Sequence, residues 1–274
     1  MNYLRLDLRL EENFKEILLA ELSELGFEAF EENEIGTLTG YIQKQSINHF
    51  ELIETLEKYK NEIHQVAGPI EVEQQNWNAV WESQYEPVRI DDFCLIRAPF
   101  HEKESGFVHV LTIEPKMSFG TGHHATTTLM VKAMRHLPLV GLKVLDMGCG
   151  TGILGILAAR LGATNVVGID IDEWAVENSA ENCERNHVQM TLYKGTSAYI
   201  QEEFDVILAN INRNIILADL NIYARHIREK GKLVCSGFYK HDVDIIREAA
   251  ALYDLNLVSL DSENEWAAVI FEKN

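Results

Sequence analysis

Residues 143–172 read KVLDMGCGTGILGILAARLGATNVVGIDID, and the rest of the chain is arranged around them. The short apolar run from Val144 to Met147 predicts a buried strand. Glycines follow at alternate positions 148, 150 and 152, where they permit positive φ angles and a close approach of the backbone to a ligand. Helix formers from Ile153 to Ala159 and a second strand that ends at Asp170 complete one half of a nucleotide-binding α/β unit.

The residue types in this unit indicate the kind of ligand. A glycine turn at a helix N-terminus offers free N–H groups. Asp170 follows Gly148 at close to the roughly 20-residue spacing of an acid that accepts hydrogen bonds from both ribose hydroxyls. The loop is G-x-G-x-G, without the G-x-G-x-x-G spacing of dinucleotide sites. Asp146, just before the first glycine, can pair with a cationic amine. A ribose and an ammonium without a phosphate are the features of S-adenosylmethionine (SAM), and a Rossmann-like domain without a ligand is the plainer alternative.

The two pieces VLDMGCGTG and GIDID resemble the first two motifs of the class I SAM-dependent methyltransferases. That resemblance implies an α/β fold with a Rossmann-like, seven-stranded sheet, parallel except for one strand. The helix and strand patterns that alternate from Glu173 to Glu272 supply the remaining strands. Ligands of such sheets bind at the carboxyl ends of the strands, where Gly148, Asp170 and Asn210 all fall.

Composition limits what the chain can be. It has 274 residues, 46% of them hydrophobic, and four scattered cysteines without metal-ligand spacing. No apolar run approaches the roughly 20 residues of a membrane span, and the alternating, charged N-terminus is not a signal peptide. We therefore expect a cytoplasmic protein. His123 and His124 have no carboxylate or third histidine at ligand spacing, so no metal site is predicted. Cys149 is expected to be a small packing residue.

Residues 1–75 predict a separate domain. Their strand and helix patterns follow the order β-α-β-β-α-β, which is the ferredoxin-like unit, with a turn at residues 33–36 and a helix cap at Asn48. This segment has 16 acidic and 6 basic residues, a net charge of −10 within a total of −19. Such a charge disfavours nucleic acid as the partner and favours a basic one by electrostatic steering. Solubility alone explains the charge equally well.

A connector at 76–106 is expected next, followed by the catalytic domain at 107–274. Trp77, Trp81 and Tyr85 lie on one face of a helix that Pro87 ends, and the simplest interpretation is a helix packed between two domains. Strands are expected at 92–98 and 107–113, where they would form a small β extension.

Asn210 ends an apolar strand at the place where the superfamily keeps its fourth motif. Amino-group methyltransferases often carry an Asn-Pro-Pro-Tyr type sequence there, and the asparagine orients the lone pair of the acceptor amine. The chain has ANIN without the prolines. The alternative is that Asn210 caps the next helix.

Several further pieces together resemble one family, the ribosomal protein L-eleven methyltransferases (PrmA). They are the acidic N-terminal domain, the tryptophan connector and the sequences FGTGHHATT, LDMGCGTGILGI, GIDID, ANI and EWAAVIF. The chain departs from the family at Ala125, where proline is usual, and at 212–214, where small residues are usual. The second departure lies where the methyl-accepting substrate is expected to bind.

The resemblance implies methylation of the N-terminal amine and lysine side chains of one basic ribosomal protein, by a monomer that does not bind nucleic acid directly. It assigns Asn210 to catalysis and the following residues to the cofactor: Phe119, Thr127, Gly148, Gly150, Asp170, Ile171 and Asn210. Two alternatives remain open. One is a methyltransferase for a small molecule or a nucleic-acid base, and the other is a SAM-binding assembly factor that holds the ribosomal protein.

Overall fold

The computed structural model describes residues 2–31, 36–72, 77–116 and 120–274, with the backbone alone at 77–80. Their contacts divide the chain into two compact units, Met1–Gln84 and Tyr85–Asn274. The predicted turn at 33–36 lies outside the described residues except for Gly36. The division between the units comes later in the chain than residue 75, because the helix expected in the connector groups with the first unit.

Unit 1 contains a four-stranded sheet in the order β2-β3-β1-β4, with β1 antiparallel to both of its neighbours. Leu4, Leu6, Leu8 and Leu10 alternate along β1 and are all buried, as the period of a half-buried strand requires. Asn48 caps α2, and its side chain accepts hydrogen bonds from two backbone N–H groups. The elements of unit 1 are β1 (Tyr3–Leu10), α1 (Lys15–Glu24), β2 (Ala29–Glu31), β3 (Thr37–Gln43), α2 (His49–Lys58), β4 (Ile63–Val72) and α3 (Trp77–Gln84).

The order β-α-β-β-α-β in unit 1 is the order that defines the ferredoxin-like unit. The predicted cap at Asn48 is confirmed, and the described residues show the predicted order of strands and helices. A small sheet then opens unit 2. Its strands are β5 (Val88–Ile90), β6 (Cys94–Arg97) and β7 (His109–Thr112). The β extension is therefore present, with β6 parallel to β7 and one strand more than the sequence predicted.

The main sheet of unit 2 has seven strands in the order β10-β9-β8-β11-β12-β14-β13. Only β14 runs antiparallel to its neighbours, so the predicted sheet is confirmed. The elements are α4 (Ala125–Met134), β8 (Lys143–Met147), α5 (Ile153–Arg160), β9 (Asn165–Asp170), α6 (Glu173–Arg185), β10 (Thr191–Lys194), β11 (Phe204–Asn210), α7 (Arg213–His226), β12 (Ile227–Tyr239), α8 (Val243–Ala251), β13 (Leu255–Glu263) and β14 (Trp266–Lys273).

Both faces of this sheet are covered. Successive residues of a strand point to opposite faces, and in β11 Val206 and Leu208 join one apolar cluster while Ile207 and Ala209 join the other. This is why the central strands appear in the sequence as continuous apolar runs. The strand order reverses at β8, which has β9 on one side and β11 on the other. The carboxyl ends of these three strands therefore border the crevice in which such sheets bind ligands.

Among the described residues, no helix is long and apolar enough to cross a membrane.

Candidate active site

A cavity of about 480 Å³ lies over the carboxyl ends of the central strands. It follows the strand order across the sheet, from the loop after β10 to the start of β14. Its lining includes Gly195, Thr196 and Ser197 after β10; Asp170, Ile171 and Trp174 after β9; Gly148 and Gly150 after β8; Asn210, Ile211 and Asn212 at β11; Gly237 in β12; and Trp266 in β14. His124 and Thr126 of the α4 region and Asp219 of α7 also line the cavity.

The glycine loop needs its glycines. Gly148, Gly150 and Gly152 have φ angles of 70°, 54° and 78°, in the left-handed region that favours glycine. A side chain at Gly148 would overlap the side chain of Ile211, and a side chain at Gly237 would overlap the backbone of Ile211. The predicted backbone geometry is therefore confirmed. The two glycines let the segment that follows Asn210 lie between β8 and β12.

Asp170 both organises the loop and faces the cavity. Its Oδ2 accepts the N–H of Gly150 at 2.8 Å, and its Oδ1 accepts the N–H of Asp172 at 3.1 Å. The residue is 9% exposed. Each carboxylate oxygen accepts more than one hydrogen bond, so both oxygens retain lone pairs for a ligand. Two adjacent hydroxyls of a ribose suit this arrangement.

Asp146 lies beneath the loop and does not line the cavity. Its Oδ2 accepts the N–H of Gly155 at 2.9 Å, in the first turn of α5. This position differs from the expected pairing with a cationic amine, and the free N–H groups of the first helical turn explain it. Burial raises the pKa of Asp146 to about 7. The N–H of Gly155 lowers this pKa, and the nearby Asp170 raises it.

Asn210 presents an unsatisfied acceptor. Its Oδ1 is buried and, within the part of the chain that the structure describes, has no hydrogen-bond partner, although Asn210 lines the cavity. Asn212 caps α7 instead, because its side chain accepts the N–H of Asn214 at 2.9 Å. The alternative role of Asn210 as the helix cap is therefore wrong. A buried acceptor without a donor costs about 1–3 kcal/mol, which a ligand N–H would offset.

In the α4 region, His124 lines the cavity and hydrogen-bonds locally, as the sequence indicated, whereas Thr127 does not reach the cavity. Thr127 is fully buried and does not line the cavity, and its Oγ1 has no partner among the described residues. Its assignment to the cofactor stays a prediction. Thr126 and His124 line the cavity in its place. The Nδ1 of His124 accepts the N–H of Thr126 at 3.3 Å and lies 2.8 Å from its hydroxyl. Phe119 lies outside the described residues.

The structure thus brings five of the predicted residues to one cavity: Gly148, Gly150, Asp170, Ile171 and Asn210. Sequence reasoning missed Trp174, Thr196, Asp219 and Trp266. The position of Thr196 just beyond the strand next to Asp170 was the available signal, because adjacent parallel strands end at the same edge. Trp266 gave no such signal, since β14 joins the sheet in the reverse direction. No group of three metal-ligating residues occurs among the described residues.

SAM fits these groups. Asp170 keeps free lone pairs for ribose hydroxyls, Gly148 and Gly150 line the cavity without side chains, and Asn210 offers an unpaired acceptor. SAM carries no phosphate, and the loop has no dinucleotide spacing. A cavity of this kind at the switch point of this sheet places the chain among the class I SAM-dependent methyltransferases.

Comparison with known proteins identifies one family within the class I methyltransferases. The model of the family "Ribosomal protein L11 methyltransferase (PrmA)" matches residues 15–274. The ribosomal protein L11 methyltransferase of Porphyromonas gingivalis is 42% identical over 269 residues, covering 93% of this chain and 90% of that protein. The corresponding protein of Bacteroides fragilis is 40% identical over 265 residues, covering 95% and 94%. The chain belongs to this family, and the resemblance found in its sequence is confirmed.

Two solved structures are similar as well. The ribosomal protein L11 methylase of Lactobacillus delbrueckii subsp. bulgaricus superposes with a TM-score of 0.66 at 26% identity, over 69% of this chain and all of that chain. A methyltransferase from Pyrococcus furiosus gives a TM-score of 0.51 at 20% identity, over 60% and 89%, and supports the fold alone.

Proposed function

We propose that this chain transfers methyl groups from SAM to amino groups of ribosomal protein L11, both the N-terminal amine and lysine side chains. The observation that carries the proposal is the buried, unpaired Oδ1 of Asn210 in the cavity that fits SAM. If the group that receives the methyl is an amine, it brings N–H donors to that oxygen. Membership of the family supplies the protein that bears the amine.

Bound SAM supplies an activated methyl group on a sulfonium sulfur. The chain's contribution is to position the acceptor. The Oδ1 of Asn210 accepts one amine N–H, which leaves the nitrogen lone pair free to point along the direction of attack. Correct orientation of two reactants contributes a large part of the rate enhancement in such reactions. Asn210 is therefore assigned to catalysis, and it also touches the cofactor.

The attacking amine must be neutral. A lysine amine with a pKa near 10.4 is mostly protonated at neutral pH. Removal from water disfavours the charged form and lowers that pKa, so the cavity itself favours the reactive state. We assign no dedicated base, and the proton leaves to water.

In this proposal the N-terminal part of the chain holds the protein substrate. Residues 1–75 carry a net charge of −10, and exposed glutamates lie on both of its first two helices: Glu16, Glu24, Glu51 and Glu54. An acidic surface attracts a basic ribosomal protein. We retain the division into a recognition domain at 1–75, a connector at 76–106 and a methyltransferase domain at 107–274 as part of this proposal. The same proposal describes a monomer of the cytoplasm that does not bind nucleic acid directly.

The test is to incubate the purified protein and methyl-labelled SAM with total ribosomal protein, with ribosomal RNA and with a mixture of small amines. Label in one protein band that mass spectrometry identifies as L11 is the expected result. Label in RNA or in small amines would favour the alternative substrates. Binding of L11 without any transfer in a single turnover would favour an assembly factor.

A further inference from the structure

A second depression adjoins the cavity on the side of β12 and β14. It has a volume of about 310 Å³ and shares Asn212, Gly237 and Trp266 with the cavity, so the two spaces are neighbours. We call it the outer groove, and its remaining wall includes Arg213, Tyr239 and Asp242. Asp170 marks the ribose position over β9. The outer groove opens from the opposite end of the cavity, beyond Asn210.

Three rings form an aromatic row along this groove. Trp266 and Tyr239 stack with their ring centres 4.3 Å apart and their planes 28° apart, and Tyr239 stacks on His241 at 5.4 Å. The sheet fixes the first pair, because Tyr239 of β12 lies directly opposite Trp266 of β14. Tyr239 is nevertheless 42% exposed. The row thus runs from the cavity to the surface.

The groove also contains a cation whose charge is neutralised. Arg213 donates from Nη1 to the Oδ1 of Asp242 at 2.5 Å, and its Nε and Nη2 both donate to the Oδ1 of Asn214 at 3.1 Å. Asp242 is 5% exposed and also accepts the N–H of Tyr239 at 3.1 Å. The backbone therefore holds this carboxylate in place. An unpaired guanidinium here would repel an ammonium entering the cavity.

We propose that the outer groove is the subsite for the acceptor lysine, whose alkyl stem lies along the aromatic row while its amine reaches Asn210. The proposal rests on the proposed function and names the part of the site that recognises the substrate. Aromatic faces attract an alkylammonium group within about 6 Å of the ring centre, and their area packs against its methylenes. Tyr239 is a specificity-determining residue in this account, and Asp242 is a positioning residue that acts by neutralising Arg213.

The test compares steady-state methylation of L11 by wild-type enzyme with that by Tyr239→Ala, together with SAM affinity by calorimetry. Loss of the ring against which the methylenes of the lysine stem pack should raise the KM for L11 about three- to fivefold, with the Kd for SAM unchanged. Tyr239→Phe keeps the ring and should restore the wild-type KM. Tyr193→Ala is the matched control, because Tyr193 is a similarly exposed tyrosine of another strand, away from both the cavity and the groove.

Asp242 provides an independent variant. Asp242→Asn keeps an acceptor for the N–H of Tyr239 but leaves Arg213 charged, so the KM for L11 should rise. Adding Arg213→Gln to Asp242→Asn should bring the KM back towards the wild-type value.

An unchanged KM in Tyr239→Ala, a rise equal to that of Tyr193→Ala, or a matching loss of SAM affinity would each overturn the subsite. Should Tyr239→Ala not fold, the Asp242 pair decides, and failure of Arg213→Gln to rescue overturns the role of charge neutralisation. A wild-type enzyme that methylates no amine of L11 would instead refute the proposed function, so the two failures are distinguishable.

Discussion

Replacement of Asp170 by asparagine should weaken SAM binding strongly. Both oxygens of Asp170 already accept backbone N–H groups, from Gly150 and from Asp172, and both retain lone pairs towards the cavity. An asparagine amide has one acceptor oxygen and one NH₂ donor. It can serve only one of the two N–H groups, and its NH₂ group cannot accept from a ribose hydroxyl.

The expected loss follows from the bonds removed. A hydrogen bond to a charged group contributes about 1.5–3 kcal/mol. Asp170→Asn removes at least one ribose bond of this kind and weakens the support of the glycine loop, a total of about 2–4 kcal/mol. The Kd for SAM should therefore rise about 30- to 900-fold. Isothermal titration calorimetry measures this directly, and circular dichroism checks that the fold is retained.

Asp172→Asn is the matched control. Asp172 lies in the same loop, is exposed and makes no side-chain capping bond to α6, while its backbone N–H remains available to Asp170. The variant makes the same change of charge, so it should alter the Kd by less than about twofold. Equal Kd values for Asp170→Asn and the wild type, or equal losses in both variants, would refute the assignment of Asp170 to the ribose.

Three other predictions concern catalysis, stability and domain roles. Asn210→Ala should lower kcat at least about tenfold and affect SAM binding much less, because orientation acts mainly in the transition state; rapid-quench turnover and calorimetry check this. Asp146 has a pKa of about 7 in the fold and near 4 when unfolded, so the unfolded state ionises first and stability falls as pH rises from about 5 to 7. Asp146→Asn should remove this loss, and its urea-unfolding free energy relative to wild type should grow by up to about 1.4 kcal/mol per pH unit. A fragment of residues 85–274 should bind SAM normally yet methylate L11 poorly at limiting substrate, and full-length affinity for L11 should weaken as salt shortens the Debye length below about 8 Å.

Each of these predictions has a result that contradicts it. Preserved turnover in Asn210→Ala would remove the residue from catalysis. A constant stability difference between Asp146→Asn and the wild type from pH 5 to 7 would mean that this carboxyl does not titrate as described. Equal methylation by fragment and full-length protein would refute the holding role of unit 1, and salt-independent affinity would refute its electrostatic part.

The parts of the site that the sequence predicted are those that local chain geometry dictates. Gly148 and Asp170 each lie where a strand ends and the chain turns, so their types and spacing identify them before any tertiary contact is known. Asn210 follows from the same reasoning at a third strand. The alternation of apolar runs and helical patterns predicted the strands, and the resemblance to the class I methyltransferases implied a sheet with one reversed strand.

The parts that the sequence did not predict depend on contacts between distant segments. Trp266 and Tyr239 come together only because β12 pairs with β14 in one register. Asp146 illustrates a different limit. A carboxylate that ends a strand can face a ligand or accept an N–H of the next helix, and the sequence reads the same in both cases. In this structure Asp146 accepts the N–H of Gly155.

The most direct test of the account is the intact mass of ribosomal protein L11 after incubation with SAM and this protein, followed by mapping of the modified residues. Methyl groups on the N-terminal amine and on lysines, formed at least about tenfold more slowly in a single turnover when Asn210→Ala replaces the wild type, are the predicted result. An unchanged mass of L11, obtained with an enzyme that calorimetry shows to be saturated with SAM, would contradict the central claim that this cavity transfers methyl groups to the amines of that protein.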